Sequence, residues 1–307
     1  MLKRIIYLMI VLTYSAFAQY ERPGSTTAQF LKIDVSARGA GMAGAYIAVV
    51  EGAEGVYYNP AIIADVEGTD VALNHNVWFA GISHEFMSVA HRFGRYGSFA
   101  LSVTGLYTDE MKVRTPLQPD GTGETFYAGN YRIGLTYARK LTNRVNFGGT
   151  VNYINLSLYQ GFYQEAFTID ISANYNAGYR DWRFGLAILN FGQSVTFVNE
   201  EYPMPTLFIF GMSINALEFS NYKLKVSGSG RKPNDGPPLG QVGTELNFKD
   251  AFFIRGGYNI GHKVARYAFG TGMKLNFGTG YNLRVDYAYN DFSALGAAHR
   301  FGIGFSF

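Results

Sequence analysis

The stretch Tyr96–Tyr107, YGSFALSVTGLY, decides the fold class of this chain. In an extended chain Phe99, Leu101 and Val103 lie on one face, and the small or polar residues between them lie on the other. A helix would scatter these residues around its circumference, so the period of two predicts a β-strand. One apolar face and one small or polar face are typical of a transmembrane β-barrel, because its outside meets lipid and its inside is polar.

The same alternation continues along the chain after residue 69. It is clearest in Tyr127–Ala138, Ala166–Tyr175 and Tyr267–Phe277. Weaker candidates complete the set: Asp70–Phe79, Ile82–Phe93, Val145–Leu156, Arg180–Asn190, Pro205–Ala216, Tyr222–Ser229, Leu239–Phe248, Phe252–Ile260, Tyr281–Asn290 and Ala297–Phe307. The total is 14 strands, an even number, as bacterial single-chain barrels require. The sequence therefore predicts an all-β fold, a closed antiparallel transmembrane β-barrel over residues 70–307, preceded by a plug-like N-terminal segment.

The connections between these predicted strands alternate between short and long. The longer ones include Thr108–Thr125, Ser157–Glu165 and Phe191–Met204. Of the connections at the same end of the predicted barrel, only Ala80-Gly81 is short. Outer-membrane barrels have short periplasmic turns and longer external loops. The asymmetry predicts a location in the cell outer membrane with both termini in the periplasm.

The first residues predict export. Lys3 and Arg4 precede the short apolar run Ile5–Tyr14, and Ala16-Phe17-Ala18 matches the small-x-small pattern of a signal-peptide cleavage site. We therefore expect a signal peptide over residues 1–18. Residues 19–69 do not alternate well, and we expect them to form a lead-in segment or plug.

The last predicted strand has one aromatic and aliphatic face. Outer-membrane barrels commonly end in such a run, which the barrel assembly machinery reads, so we expect this machinery and outer-membrane lipid to be partners of the chain. The alternative is an ordinary hydrophobic strand. The predicted assembly signal comprises Phe301, Ile303, Phe305 and Phe307.

Composition excludes several classes of protein. The chain has no cysteine, which excludes a disulfide scaffold and a cysteine-ligated metal. Its net charge is +3 and its charged fraction is 16%, against about 25% in typical soluble domains. This balance does not indicate nucleic-acid binding. The 16% aromatic content and 37 glycines fit a barrel with rings facing lipid and small residues facing inward.

One motif points to a different fold. Gly39-x-Gly41-x-x-Gly44 matches the dinucleotide-binding fingerprint letter for letter. That fingerprint needs a strand before it, a helix after it and a repeating βαβ context. No second βα unit follows, so we interpret these glycines as sites of close packing against a barrel wall.

No set of residues predicts catalysis or metal binding. His84-Glu85 lacks a second histidine four residues after the first, and no Gly-x-Ser-x-Gly motif is present. We therefore expect no enzyme activity, cofactor or metal. Charged residues on predicted inward faces are expected to pair inside the barrel, because charges are costly in lipid; alternatively, they bind the plug or a solute. They are Arg132, Asp170, Glu245, Arg255, Lys274, Arg284 and Asp286.

Three N-terminal motifs, in order, resemble the opening of the PorV/PorQ family of outer-membrane proteins, relatives of the long-chain fatty-acid transporter (FadL-like) barrels. They are Phe30-Leu31-Lys32-Ile33, Ala37–Ala45 and Tyr57–Ala61, with Ile62-Ile63 where the family usually has Gly-Leu. The resemblance implies a 14-stranded barrel whose N-terminal segment enters the lumen. The motif residues it marks are Arg38, Gly39, Gly41, Gly44, Asn59, Pro60 and Ala61.

Two functions follow from the resemblance. It implies an accessory or cargo-handling role in type IX protein secretion, with secretion components and cargo proteins as partners at external loops such as Thr108–Thr125 and Phe191–Met204. The alternative is a FadL-like transporter that passes hydrophobic small molecules across the outer membrane. The aromatic segment Leu158–Tyr163 favours this second function.

Overall fold

The computed structural model describes residues 23–159, 161–278 and 280–307. The predicted signal peptide, residues 1–18, lies outside this part of the chain. Fourteen strands form one closed barrel. They are β1 Thr69–Val77, β2 Ile82–Arg92, β3 Ser98–Thr108, β4 Gly129–Lys140, β5 Val145–Tyr159, β6 Phe162–Asn176, β7 Arg183–Gly192, β8 Leu207–Glu218, β9 Tyr222–Pro233, β10 Leu239–Phe248, β11 Phe252–Ile260, β12 Tyr267–Phe277, β13 Tyr281–Asp291 and β14 Ala297–Ser306.

Every barrel strand is antiparallel to its neighbours, and the first strand closes the barrel on the last. β1 pairs with β14 from Asp70 opposite Ser306 to Val77 opposite His299. Closure leaves no strand edge with unpaired backbone groups, which a hydrocarbon environment requires. The predicted closed antiparallel barrel of 14 strands is confirmed.

One predicted loop is wrong. The segment Ser157–Glu165 is not a long connection, because β5 extends to Tyr159 and β6 begins at Phe162. The pairing shifts between Ser157 and Tyr159, as in a β-bulge. An extra residue of this kind breaks the alternation of side chains. This shift explains why the period-two pattern in the sequence ends before the strands do.

The two faces of the wall differ as the alternation predicts. On β3, Phe99 and Leu101 are 42% and 48% exposed, whereas Ser98 and Ala100 between them are buried. Aromatic side chains also gather towards the end where the chain enters β1 and leaves β14, here called the lower end. They include Phe93, Tyr137, Phe184, Phe248, Phe277 and Phe305. An apolar outer band with aromatic rings at its border is typical of barrels in membranes.

The connections at the opposite, upper end carry additional short structure. Met111–Lys112 pairs with Thr125–Phe126, and Val195–Phe197 pairs with Glu200–Tyr202, each as a two-stranded ribbon. A 3-10 helix spans Ser293–Leu295 at this end, and another, Gly94–Tyr96, lies at the lower end. The two long connections, which carry the ribbons, thus lie at the upper end, and the turns at the lower end are all short.

The N-terminal segment lies inside the barrel. Its helices are α1 Ala37–Gly41, α2 Gly55–Tyr58 and three 3-10 helices at Gln29–Lys32, Gly52–Glu54 and Pro60–Asp65. α1 contacts β12 and β13, and the last 3-10 helix contacts β4, β5 and β6 across the lumen. Within the described chain, none of the helices has the length and apolar character needed to cross a bilayer. We call residues 23–68 the plug.

Candidate functional site: the plugged lumen

Close backbone contact seats α1 against the wall. The Ser36 hydroxyl accepts a hydrogen bond from the backbone N–H of Gly39 at 3.1 Å and starts the helix. A β-carbon at Gly41 would lie 3.0 Å from the Cα of Gly270 in β12. Gly44 has φ +78°, a left-handed conformation that favours glycine. These glycines are needed for packing and for a turn, and the helix that ends at Gly41 is buried against protein instead of being open to a nucleotide.

Glycines of the wall meet the plug at several further points, and the sequence reasoning missed them. A β-carbon at Gly243 would lie 2.8 Å from the Met42 carbonyl oxygen, and one at Gly211 would lie 2.6 Å from the Ile47 side chain. A β-carbon at Gly148 would lie 2.6 Å from the Ala61 nitrogen. A glycine at an inward-facing position of a predicted strand is the sequence feature that indicates such a contact.

The Asn59-Pro60-Ala61 motif forms one hydrogen bond within the plug and one to the barrel wall. The buried Asn59 amide donates to the Ile47 carbonyl oxygen at 3.0 Å. The Ala61 N–H donates to the Ser172 hydroxyl of β6 at 2.8 Å. Pro60 begins a 3-10 helix, so the chain continues to Asp65 before it reaches β1.

Arg38 joins the plug to the wall by charge. Its guanidinium donates two hydrogen bonds to the Glu245 carboxylate, both at 2.8 Å, and one to Glu51 at 3.1 Å. Glu245 also accepts from Arg255 at 2.6 Å, and Arg255 donates to Asp286 at 2.6 Å. Bidentate pairs of this kind are the stronger class of ion pair. The network therefore fixes the orientation of α1 in the lumen.

Other predicted inward charges also lie on the inner face. Arg132 donates to Asp170 at 2.9 Å and to Asn152 at 2.8 Å, and both charged residues are buried. Arg284 donates to Asp70 at 2.7 Å. Lys274 lines a cavity of about 490 Å³ at the lower end, together with Glu245, Arg255 and Asp286. We call this charged space the lower cavity.

Glu54 and Glu51, which the sequence reasoning did not single out, organise the interior of the plug. Glu54 accepts from the Ser36 hydroxyl at 2.7 Å and the Tyr46 hydroxyl at 2.8 Å. Burial acts to raise the pKa of Glu51, but the nearby cations Arg38, Lys225 and Arg183 lower it well below its usual range. Glu54 is half-buried, and the Glu51 side chain is 43% exposed in the lining of the lower cavity. The sequence alone does not show which partners the two carboxylates contact.

The start of the plug is held at the upper end by one carboxylate. Asp235, between β9 and β10, accepts from the Thr26 hydroxyl at 2.5 Å, the Gln29 amide at 3.0 Å and the Lys32 ammonium at 2.8 Å. Burial acts to raise the pKa of Asp235, but these hydrogen bonds outweigh it and lower the pKa to about 2. We call these four residues the Asp235 latch.

Two cavities flank the latch. The upper apolar cavity, about 610 Å³, lies between plug residues including Phe30 and Ile33, the wall residues Leu106 and Leu156, and Phe197 of an upper ribbon. The upper polar cavity, about 310 Å³, includes Lys32, Asp34, Arg231, His262 and Arg300 in its lining. Among the described residues, no group of three or more His, Asp or Glu side chains could hold a metal ion.

The predicted assembly signal lies on the outer face of the closing strand. Phe301, Ile303, Phe305 and Phe307 are exposed there, each by about a third to a half of its surface. β14 is hydrogen-bonded to β1 on one side and to β13 on the other. The aromatic and aliphatic run is therefore part of the apolar outer band.

No protein-family model and no curated protein matches the sequence. Solved structures do match. The Pseudomonas putida toluene transporter TodX matches with a TM-score of 0.58 at 10% identity, over 94% of this chain and 98% of that chain. The Ralstonia pickettii toluene transporter TbuX matches with a TM-score of 0.55 at 12% identity, over 87% of this chain and 97% of that chain. The chain therefore shares the overall fold of these two barrels.

Proposed function

We propose that this chain is an outer-membrane barrel through which hydrophobic small molecules pass. The observation that carries the proposal is the upper apolar cavity, which lies between the start of the plug and the barrel wall and is lined by Phe30, Leu106 and Leu156. Apolar walls of this kind favour a ligand that leaves water. The shared fold with two toluene transporters supports the same function, and transport needs no catalytic group.

The proposed orientation places the upper end outside the cell. Long connections with their short ribbons lie at this end. The first barrel strand begins and the last one ends at the other end, where the Thr69 N–H donates to the Phe307 carbonyl at 2.7 Å, whereas the start of the plug lies at the upper end. In outer-membrane barrels the longer loops are external. A molecule would therefore meet the upper apolar cavity first, and the plug would have to shift before it could continue.

Transfer into liposomes tests this function. The pure protein is reconstituted, and entry of labelled toluene and of a labelled fatty acid is compared with entry into protein-free liposomes. Leu106→Trp narrows the upper apolar cavity and should reduce entry, whereas Leu101→Trp, on the outer face, should not. Entry no faster than into protein-free liposomes would contradict the proposal.

A role in type IX secretion stays a prediction of the N-terminal resemblance. The comparisons lend it no support, and the structural neighbours favour transport of small molecules. The observation in its favour is the ordered set of motifs from Phe30 to Ala61, which forms the buried part of the plug. Deletion of the gene followed by detection of cargo at the cell surface tests it, and unchanged secretion would exclude the role.

A further inference from the structure

The upper polar cavity contains one cation without a carboxylate partner. Three cations line this space. Lys32 pairs with Asp235 at 2.8 Å, and Arg231 pairs with Asp34 at 3.2 Å. Within the described part of the chain, Arg300 forms no ion pair at all. The cavity is therefore left with one positive charge that its own pairs do not neutralise.

Arg300 is also deeply buried. It is 3% exposed, and its guanidinium lies over the Trp78 ring, with 5.1 Å between the guanidinium carbon and the ring centroid. Its Nη1 donates to the Asn290 side chain, and its Nε has no acceptor among the described residues. An unpaired buried charge destabilises the fold, and a bound anion would supply the missing partner.

A neutral donor faces the same space. The Nδ1 atom of His262 accepts backbone hydrogen bonds from Val264 at 3.2 Å and Ala265 at 2.9 Å, so the ring hydrogen belongs on Nε2. Burial, together with the nearby Arg231, lowers the pKa of His262 and keeps the ring neutral. The cavity thus offers two guanidinium groups and one imidazole N–H to an acceptor.

The rest of the lining decides what kind of anion fits. Trp78, Leu207, Leu239 and Phe292 give apolar surface beside the cations, within a volume of about 310 Å³. A phosphate would leave this surface unused and would bring more negative charge than the single unpaired cation balances. A compact organic monoanion matches both the charge and the walls.

We propose that the upper polar cavity binds a compact organic monocarboxylate, with its carboxylate at Arg300 and its apolar body against Trp78 and Phe292. This inference rests on the proposed function, since it assumes entry from the upper end, and it deepens that function by naming an anionic class of substrate.

Benzoate is the probe for this site. The chain has two tryptophans, Trp78 and Trp182, and Trp182→Phe leaves Trp78, beside Arg300, as the fluorescent reporter. We expect saturable quenching or a spectral shift on addition of benzoate in detergent, with affinity at least about tenfold above that for toluene or inorganic phosphate. Titration calorimetry of the unmodified chain repeats the measurement without a substitution.

Three variants test the role of Arg300. Arg300→Met should weaken benzoate binding by about tenfold or more, while its thermal midpoint stays equal or rises, because an unpaired buried charge is removed. Arg300→Lys, which keeps the charge, should lose less affinity. Lys274→Met removes a positive charge from the lower cavity and should leave benzoate binding unchanged.

The outcomes separate this inference from the proposed function. Four outcomes would overturn the inference. Benzoate does not bind saturably, benzoate binds Arg300→Met as tightly as the natural chain, phosphate binds as tightly as benzoate, or palmitate binds and benzoate does not. If toluene enters liposomes equally fast with the natural chain and with Arg300→Met, and benzoate does not bind, this inference is wrong and the proposed function stands. If benzoate binds but no solute enters the liposomes, the proposed function is wrong and the binding site stands.

Discussion

At the scale of single residues, Gly41 shows why the plug motif is made of small residues. Its missing β-carbon lets α1 approach the backbone of Gly270, which cannot move aside as a flexible side chain can. We expect Gly41→Leu to destabilise the barrel by about 1–3 kcal/mol, the usual cost of overpacking, and Gly41→Trp to impair assembly.

The measurement for Gly41 is heat-modifiable migration on a gel together with the thermal midpoint in detergent. Gly105→Ala is the control, because a β-carbon there meets no atom within 4 Å. Folding and membrane insertion of Gly41→Trp equal to those of the natural chain would contradict the packing explanation.

The buried pair Arg132–Asp170 leads to a second prediction. Arg132→Met leaves the Asp170 carboxylate, which is 0% exposed, without its cation. Loss of one partner of a buried pair costs about 3–5 kcal/mol, measured by chemical unfolding in detergent. The control is Lys223→Met, whose pair with Asp250 is exposed and is worth about 0–1 kcal/mol. If the two substitutions lowered the free energy of unfolding equally, burial would not determine how much an ion pair stabilises this barrel.

At the scale of the elements, the Asp235 latch should make the start of the plug sensitive to acid. The pKa of Asp235 is about 2 in the folded chain, below the value of about 3.9 of an unfolded aspartate. A lowered pKa stabilises the latched state above the unfolded value, and this contribution is lost as the pH falls from about 4 to about 2. The first 3-10 helix should therefore loosen in that range.

Limited proteolysis with an acid protease, across this pH range, measures the latch. We expect cleavage before residue 37 to increase as the pH falls. Asp235→Asn should be cleaved more than the natural chain at the higher pH values of the range as well. Asp120→Asn, in the exposed upper connection, should behave like the natural chain. Cleavage independent of both pH and Asp235 would show that the latch does not hold the plug.

The elements also show where local patterns succeed and fail. All predicted strands overlap observed ones, because alternation is a property of each strand taken alone. The connection after β5 was wrong because the bulge between Ser157 and Tyr159 interrupts the alternation inside a continuous ladder. The plug helices could not be predicted with the same method, since they are short, most of their residues are buried and they carry no periodic pattern.

At the scale of the whole molecule, the outer face should tolerate charge poorly. Leu135 lies near the middle of β4 and is 60% exposed on that face. We expect Leu135→Arg to cost about 2–4 kcal/mol in a bilayer, as charges do near the midplane of barrels. Refolding yield into liposomes and urea midpoints measure the cost. Leu117→Arg, in an upper connection and 94% exposed, is the control and should change stability little.

The barrel, its strand number and the two faces of its wall can be predicted from the sequence alone, because each strand carries its own alternation and closure follows from the need to pair every edge in lipid. The partners inside the lumen become visible only in the folded chain. Arg38 and Glu245 are 207 residues apart in sequence, and Arg300 has no carboxylate partner among the described residues. Such contacts depend on strand register and on the path of the plug, neither of which a local pattern encodes.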